Sequence, residues 1–341
     1  MALLQIENPP NPWASTHVDW LGEPPKQSLE VYVDHSRTIL SENNSPDVGF
    51  RWSVNPYRGC FHGCAYCYAR PSHEYLGMGA GSDFDRRLVI KPRAADLLAE
   101  AFDRKSWAGE VVVFSGNTDC YQPIEATQQL TRACLEVCLA YGNPVGIITK
   151  APLIERDIDV LSALAKKTHL TVTMSVPFWD ATQARAIEPA VPSPARRVET
   201  IRRLTAAGIT VGVNFAPIIP GLNDDQMVEV LGRAREAGAS YAGAVMVRLP
   251  GPVAAVFEQR LRARLPLRAD RVMRRIQEAR SGRLNDARFG SRMTGEGHYA
   301  NAIRALFDKT RRRLGYGPLP TVPNPSAFRR PHDKHGQLNL F

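Results

Sequence analysis

The sequence predicts an α/β protein built on parallel strands, and three observations carry that reading. Short apolar or β-branched runs alternate with helical stretches. Several of those runs are apolar on both faces, as strands buried in a parallel sheet are. Glycines stand where helices should stop before the next strand. The strand candidates are Arg51–Asn55, Val111–Ser115, Val145–Thr149, Leu170–Val176, Thr210–Phe215 and Ala244–Leu249. Helical patterns cover Ala94–Arg104, Glu125–Tyr141, Leu153–Lys167, Ala195–Ala207 and Asp224–Ala237, with Gly208 and Gly238 as stops. Six consecutive βα units fit either a partial (β/α)6 barrel or an open doubly wound sheet.

A chain of 341 residues, 44% hydrophobic and 23% charged, is long enough for one large barrel or two ordinary domains. Residues 1–48 are polar and proline-containing and read as an irregular N-terminal extension, 49–250 as the core barrel, 251–317 as a basic helical region, and 318–341 as an extended tail. The net charge of +9 argues for an anionic partner, with DNA or RNA as first candidate and acidic small molecules or anionic membranes as others. The N-terminal MALLQIENPPNPW lacks the basic and apolar regions of a signal peptide. No run approaches the roughly eighteen apolar residues of a membrane span. A cytoplasmic location is therefore expected, where structural disulfides are uncommon. The six cysteines then read as metal ligands, reactive thiols or small buried residues.

The segment NPYRGCFHGCAYCYARP, residues 55–71, spaces Cys60, Cys64 and Cys67 as C-x3-C-x2-C. Gly59 and Gly63 let the loop fold tightly around a compact object. Thiolates are the usual ligands of iron–sulfur clusters, and a full set is four. A cubane held by three leaves one iron open to chemistry, like the open position of a catalytic metal. Zinc is the alternative. Its knuckles pair C-x2-C with a second pair of ligands, and His62 and His73 lie nearby.

With an aromatic residue, Tyr66, before the last cysteine, this motif resembles the radical S-adenosylmethionine (SAM) superfamily. Together with FSGNTDCYQPIE (114–125), IITK (147–150), TMSVPF (173–178) and NFAPIIPGLND (214–224), it is similar to the group related to spore photoproduct lyase, described as DNA repair photolyase-like. The resemblance covers about residues 50–250. It implies a partial (β/α)6 TIM-like barrel of the radical SAM type. It implies a [4Fe–4S] cluster on Cys60, Cys64 and Cys67 whose open iron binds SAM. Reductive cleavage of SAM would yield a 5′-deoxyadenosyl radical that abstracts hydrogen, with a flavodoxin or ferredoxin as electron donor. The substrate could be damaged DNA, RNA, a peptide or a metabolite. A non-enzymatic DNA-associated protein with a structural cluster or zinc is the competing class.

Active sites of such barrels lie at the C-terminal strand ends. Thr118, Asp119, Lys150 and Ser175 match family positions linked to SAM. Tyr66, Ser115, Asn117 and Asn214 are further cofactor-binding candidates from the same region. The plainer readings are a solvated lysine, helix caps and a turn aspartate. Cys120 and Tyr121 follow Asp119 and are candidates for hydrogen return or radical relay. The cysteine that returns hydrogen in spore photoproduct lyase would fall two or three residues before Asp119, where this chain has Gly116 and Asn117. Cys134 and Cys138, four apart in a helical pattern, read as a buried face.

Arg248, Arg260, Arg262, Arg264, Arg268, Arg271, Arg274 and Arg275 form a basic run, joined by Lys309 and Arg311–Arg313. Such patches attract phosphate backbones, although charge runs are usually only solvated faces. The terminal QLNLF, Gln337–Phe341, resembles the short peptide with which bacterial proteins dock on the DNA-polymerase sliding clamp, its Leu338, Leu340 and Phe341 suited to groove insertion.

Overall fold

A computed structural model describes residues 8–13 and 28–331. Part of the stretch expected to be irregular forms two strands, β1 (Glu30–Val33) and β2 (Leu40–Glu42). β2 runs antiparallel to β3 (Trp52–Val54), with Leu40 opposite Val54, and covers the sheet edge that β3 would otherwise expose. Then come β4 (Tyr57–Arg58), helix α1 (Ser82–Arg86) and β5 (Arg87–Ile90). β1, β5 and β4 make a small separate sheet whose last two strands bracket the cysteine loop in sequence.

The main sheet continues through β6 (Val112–Phe114), β7 (Val145–Thr149), β8 (Leu170–Ser175), β9 (Val211–Ile218) and β10 (Tyr241–Met246). Its order is β10-β9-β8-β7-β6-β3-β2, and every neighbouring pair from β3 to β10 is parallel. A doubly wound sheet reverses its strand order at a switch point. This sheet follows chain order throughout, which selects the partial barrel. Between the strands lie α2 (Ala94–Asp103), α3 (Glu125–Gln128), α4 (Leu130–Tyr141), α5 (Ile158–Lys167), α6 (Ala181–Ile187), α7 (Pro194–Ala206) and α8 (Met227–Glu236). Gly208 and Gly238 do follow helices, with φ of +78° and +102°. Cys134 and Cys138 are fully buried on α4.

Several expected bounds shift: the helix over Leu153–Lys167 opens with a 3-10 segment, Pro152–Asp157, the strand over Thr210–Phe215 runs on to Ile218, and two further elements differ for a visible reason. The single helix over Glu125–Tyr141 breaks at Gln129, which takes φ +52°. The cause is Glu125: its carboxylate accepts from the N–H groups of Thr131 (2.9 Å) and Arg132 (3.3 Å), so the second helix restarts on a side-chain cap. The last strand lies three residues earlier than Ala244–Leu249. Ser240 N–H already donates to Val211 O at 2.8 Å, and pairing loses register between Ala244 and Met246.

Helices α9 (Val253–Arg264), α10 (Pro266–Glu278), α11 (Ser291–Thr294) and α12 (Gly297–Arg313) follow. α10 buries Ala269, Val272, Met273 and Ile276 and leaves Arg268, Arg271 and Arg274 exposed. Arg260 corrects the basic-run reading. It is 2% exposed, on the α9 face that also buries Val253, Val256 and Phe257. Residues 318–331 do not trail freely. Phe328 packs on Phe102 and Tyr141, with ring centroids 6.0 and 6.1 Å apart, and Arg329 N–H donates to Tyr141 O at 2.8 Å. Gln337–Phe341 lie outside the described residues. Among the described residues no helix is long and apolar enough to cross a membrane.

Candidate cluster and cofactor site

The cysteine loop is held in shape from three sides. Gly59 has φ +74°, and a Cβ there would lie 2.9 Å from the His73 ring and 3.0 Å from Phe84 O, so only glycine fits. From the next rim segment, Gln122 donates to Gly59 O (3.0 Å) and accepts from Phe61 N–H (2.9 Å). From behind, the fully buried Arg70 donates to Cys64 O through Nε (3.1 Å) and Nη2 (2.9 Å), to the carbonyls of Ala80 and Gly81, and to Asp85 Oδ1 at 2.8 Å. A buried arginine with every one of these acceptors in place fixes the backbone of Cys64 without relying on the cysteine side chain.

The segment after β6 forms the adjoining rim. Ser115 adopts φ +72°, a left-handed conformation rare for a side-chain-bearing residue, and its Oγ accepts from Cys120 N–H at 2.9 Å. Gly116 passes so close to β3 that a Cβ would lie 2.9 Å from Ser53 Cβ. Asn117 N–H donates to Asn55 Oδ1 at 2.9 Å. Asp119 is enclosed by donors: Thr149 Oγ1 (2.7 Å), Tyr121 N–H (3.0 Å), Lys150 N–H (2.9 Å) and, at 3.4 Å, His62 Nδ1. Burial pushes its carboxyl pKa upward, but the His62, Lys150 and Thr149 contacts prevail and lower it to about 2. Asp119 thus ties β6, β7 and the cysteine loop together as a carboxylate.

Lys150 stands at the end of β7. Its ammonium lies 5.9 Å from the centroid of the Tyr66 ring. Burial disfavours its charge, yet the proximity of Cys64, Glu188 and Asp119 raises its pKa on balance. Among the described residues the ammonium makes no hydrogen bond or ion pair. The Tyr66 hydroxyl donates to Glu188, which pairs with Arg197 at 2.6 Å, both side chains fully buried. Arg197 also donates to Ser175 O at 3.0 Å, reaching the end of β8. Ser175 sits in register with Asn214 of β9.

The structure therefore places Thr118 and Asp119 after β6, Lys150 after β7 and Ser175 at the end of β8, with Asp119 tied to the cysteine loop through His62 and Lys150 set over its Tyr66. It corrects the placement of Cys120 and Tyr121. Both are fully buried within the main apolar core, and Cys120 O accepts from Thr131. Gln122 reaches the cysteine loop from this segment, whereas Cys120 and Tyr121 face the core instead of lining the rim. Sequence reasoning missed Arg70, Gln122, Glu188 and Arg197. Arg70 and Gln122 carried a signal, since both lie inside quoted motifs, NPYRGCFHGCAYCYARP and FSGNTDCYQPIE; Glu188 and Arg197 carried none.

The residues fit an iron–sulfur cluster and an anionic ligand. All three cysteines are free thiols. Burial raises the pKa of each, that of Cys64 to about 12, so they stay protonated unless a metal displaces the proton. A cubane presents a separate iron to each thiolate, so its cysteines need not converge on one point. Among the described residues no three His, Cys, Asp or Glu side chains converge closely enough to chelate a single ion. Thr118 Oγ1 is buried with no hydrogen-bond partner, and the Lys150 ammonium has none either among the described residues, two groups that a polar, anionic ligand would satisfy.

Residues 54–234 match the radical SAM superfamily. An uncharacterized protein of Mycobacterium tuberculosis is 37% identical over 199 residues, which is 58% of this chain and 58% of the relative. An uncharacterized protein of Methanocaldococcus jannaschii is 29% identical over 200 residues, 59% of this chain and 72% of that one. The match to the mycobacterial relative thus spans 58% of its length. Among solved structures, spore photoproduct lyase complexed with dinucleoside spore photoproduct superimposes with TM-score 0.61 at 17% identity, over 87% of this chain and 86% of that one. A doubly substituted form of that lyase with bound AdoMet gives TM-score 0.53 at 16% identity, over 87% and 84%. At these identities the likeness is one of fold. With the family match extending over more than half of the sequence, this chain belongs to the radical SAM superfamily.

Proposed function

We propose that Cys60, Cys64 and Cys67 hold a [4Fe–4S] cluster, that SAM binds across Thr118, Asp119, Lys150 and Ser175, and that the enzyme abstracts hydrogen from a nucleic-acid substrate. When bound, the reduced cluster and SAM supply a 5′-deoxyadenosyl radical. The chain's own residues do the positioning. Lys150 offers its unpaired ammonium to the methionine carboxylate, and the Thr118 and Ser175 hydroxyls offer donors beside it. Asp119, already a carboxylate, keeps the Lys150 backbone fixed while its ammonium stays free. Glu188 and Arg197 hold Tyr66 under that ammonium. The observation that carries this reading is the unpaired Lys150 ammonium close to Cys64 and Asp119. The exposed Arg268, Arg271 and Arg274, and the fold likeness to a lyase solved with a dinucleoside photoproduct, support nucleic acid as the substrate class.

The test is 5′-deoxyadenosine release by anaerobically reconstituted, dithionite-reduced protein. Release should rise on addition of ultraviolet-damaged DNA over undamaged duplex, single-stranded DNA and RNA. Release that ignores all four would keep the enzyme class and move the substrate to a peptide or metabolite. No release from protein with a verified cluster and bound SAM would overturn the reading.

Clamp docking by Gln337–Phe341 is part of the same proposal. Removing those five residues should abolish binding to a purified bacterial sliding clamp in surface plasmon resonance and leave SAM cleavage unchanged. Equal clamp binding by the shortened chain would dismiss it.

A further inference from the structure

We propose that Arg260, reaching in from α9, is a fixed counter-charge to the cluster of the cysteine loop and raises its reduction potential. The inference rests on the cluster reading above. It concerns a residue outside the stretch 54–234 that matches the superfamily.

α9 belongs to the same apolar cluster as the loop: Cys64, Ala65 and Tyr66 share it with Val253, Phe257 and Leu261, and a Cβ on Gly63 of the loop would lie 3.3 Å from Asp85 Oδ2. Arg260 enters this region with 2% of its surface exposed. Among the described residues its one ion-pair partner is Asp85, with Nη2 4.0 Å from Oδ2. That carboxylate is already engaged by Arg70, 2.8 Å away at the other oxygen. Arg260 Nε is buried and has no hydrogen-bond partner. Two enclosed guanidiniums thus face one carboxylate. Cys64 and Arg264 also act on Arg260 electrostatically, the first favouring its charge and the second opposing it. A buried charge is costly unless paired, so the arrangement calls for one more anion, and the anionic candidate on that side is the metal-bound thiolate set.

A [4Fe–4S]2+ core with three thiolates carries one net negative charge and gains a second on one-electron reduction. A fixed cation favours the more negative state, which is an electrostatic lever on potential. Burial lowers the Arg260 pKa to about 10, still well above neutrality, so the charge is present under working conditions. Arg70, by contrast, spends its donors on backbone carbonyls and Asp85. Arg260 is therefore the less committed of the two.

The experiment is an EPR-monitored redox titration of the full, cluster-loaded chain with dithionite and mediators, for wild type, Arg260→Gln and Arg260→Lys. At the wild-type midpoint, Arg260→Gln should show a reduced-to-oxidised ratio about tenfold lower, which is ~59 mV for a one-electron couple. Arg260→Lys, which keeps the charge, should stay close to wild type. An unchanged potential in Arg260→Gln with full iron content and a wild-type melting temperature would overturn the proposal. Should that variant fail to fold, Arg260→Met, which keeps the apolar stem and removes the charge, tests the same idea, and an unchanged potential there would equally overturn it. A wild-type chain that takes up no [4Fe–4S] cluster would instead remove the cluster reading itself.

Discussion

Cys64→Ala should strip the chain of its cluster while leaving the fold intact. Iron and sulfide content after reconstitution, the broad charge-transfer absorption and the EPR signal of the reduced state should all be lost, and 5′-deoxyadenosine release should fall to background. The reason for so complete an effect is the ligand count: three cysteines are already one short of a full set, so none is redundant. The reason the fold survives lies in Arg70. The loop backbone at position 64 is held through its carbonyl by two guanidinium bonds, and Ala65 N–H donates to Ile187 O at 3.0 Å, so neither contact needs the thiol. Lys150→Met provides the contrast. Methionine keeps the apolar stem over Tyr66 and removes the charge, so the cluster should form normally. SAM affinity should fall about tenfold or more, the worth of one charged hydrogen bond. Equilibrium binding of SAM beside iron analysis separates the two variants. A Cys64→Ala protein that retains a [4Fe–4S] spectrum would remove Cys64 from the ligand set. Unchanged SAM binding by Lys150→Met would remove the proposed carboxylate contact.

The two variants also divide what could be read in the sequence from what could not. Strands such as Val145–Thr149 were legible to the residue because both faces are buried, which leaves a continuous apolar run with polar ends. β10 was misplaced because its first residues, Tyr241–Ala242–Gly243, have a weak apolar signal and are recruited by pairing to β9. β4 and β5 were invisible, since strands of two and four residues, Tyr57–Arg58 and Arg87–Ile90, are too short to carry a periodicity. The cysteines were legible because a tight loop makes spacing in sequence equal to proximity in space. Asp119 and Lys150 were legible because strand ends are predictable once strands are. Arg70, Asp85, Glu188, Arg197 and Arg260 were not. A charged side chain reads as surface unless its partner is known, and these partners lie 15 residues away for Arg70 and Asp85 and on separate elements for Arg260. Arg196 and Arg197 make the point within two residues. The first pairs with Glu155 near the surface; the second is wholly buried against Glu188.

That buried pair should give the largest stability effect in the molecule. Arg197→Met leaves Glu188 as an enclosed carboxylate with the Tyr66 hydroxyl as its hydrogen-bond partner and only the unbonded Lys150 charge besides, and removes the Arg197 donor from the carbonyls of Ser175 and Pro192. Breaking such a pair typically costs about 3–5 kcal/mol, because the remaining charge stays desolvated. Chemical denaturation of the cluster-free chain should show a loss of that size. Glu188→Gln keeps the Tyr66 acceptor and should cost less. The double variant Glu188→Gln, Arg197→Met should recover part of the loss, since no uncompensated carboxylate remains, and that non-additivity is the signature of a direct interaction. The consequence extends to the site. Tyr66 lies between Cys64 and Cys67, and its hydroxyl is tied to Glu188, so the same substitution should loosen the cysteine loop and lower iron incorporation before the fold is lost. A loss below about 1 kcal/mol for Arg197→Met would show that water reaches the pair. In that event the rigid support assigned here to Tyr66, and through it the fixed distance between Lys150 and the cysteines, would have to come from Arg70 and Gln122 alone.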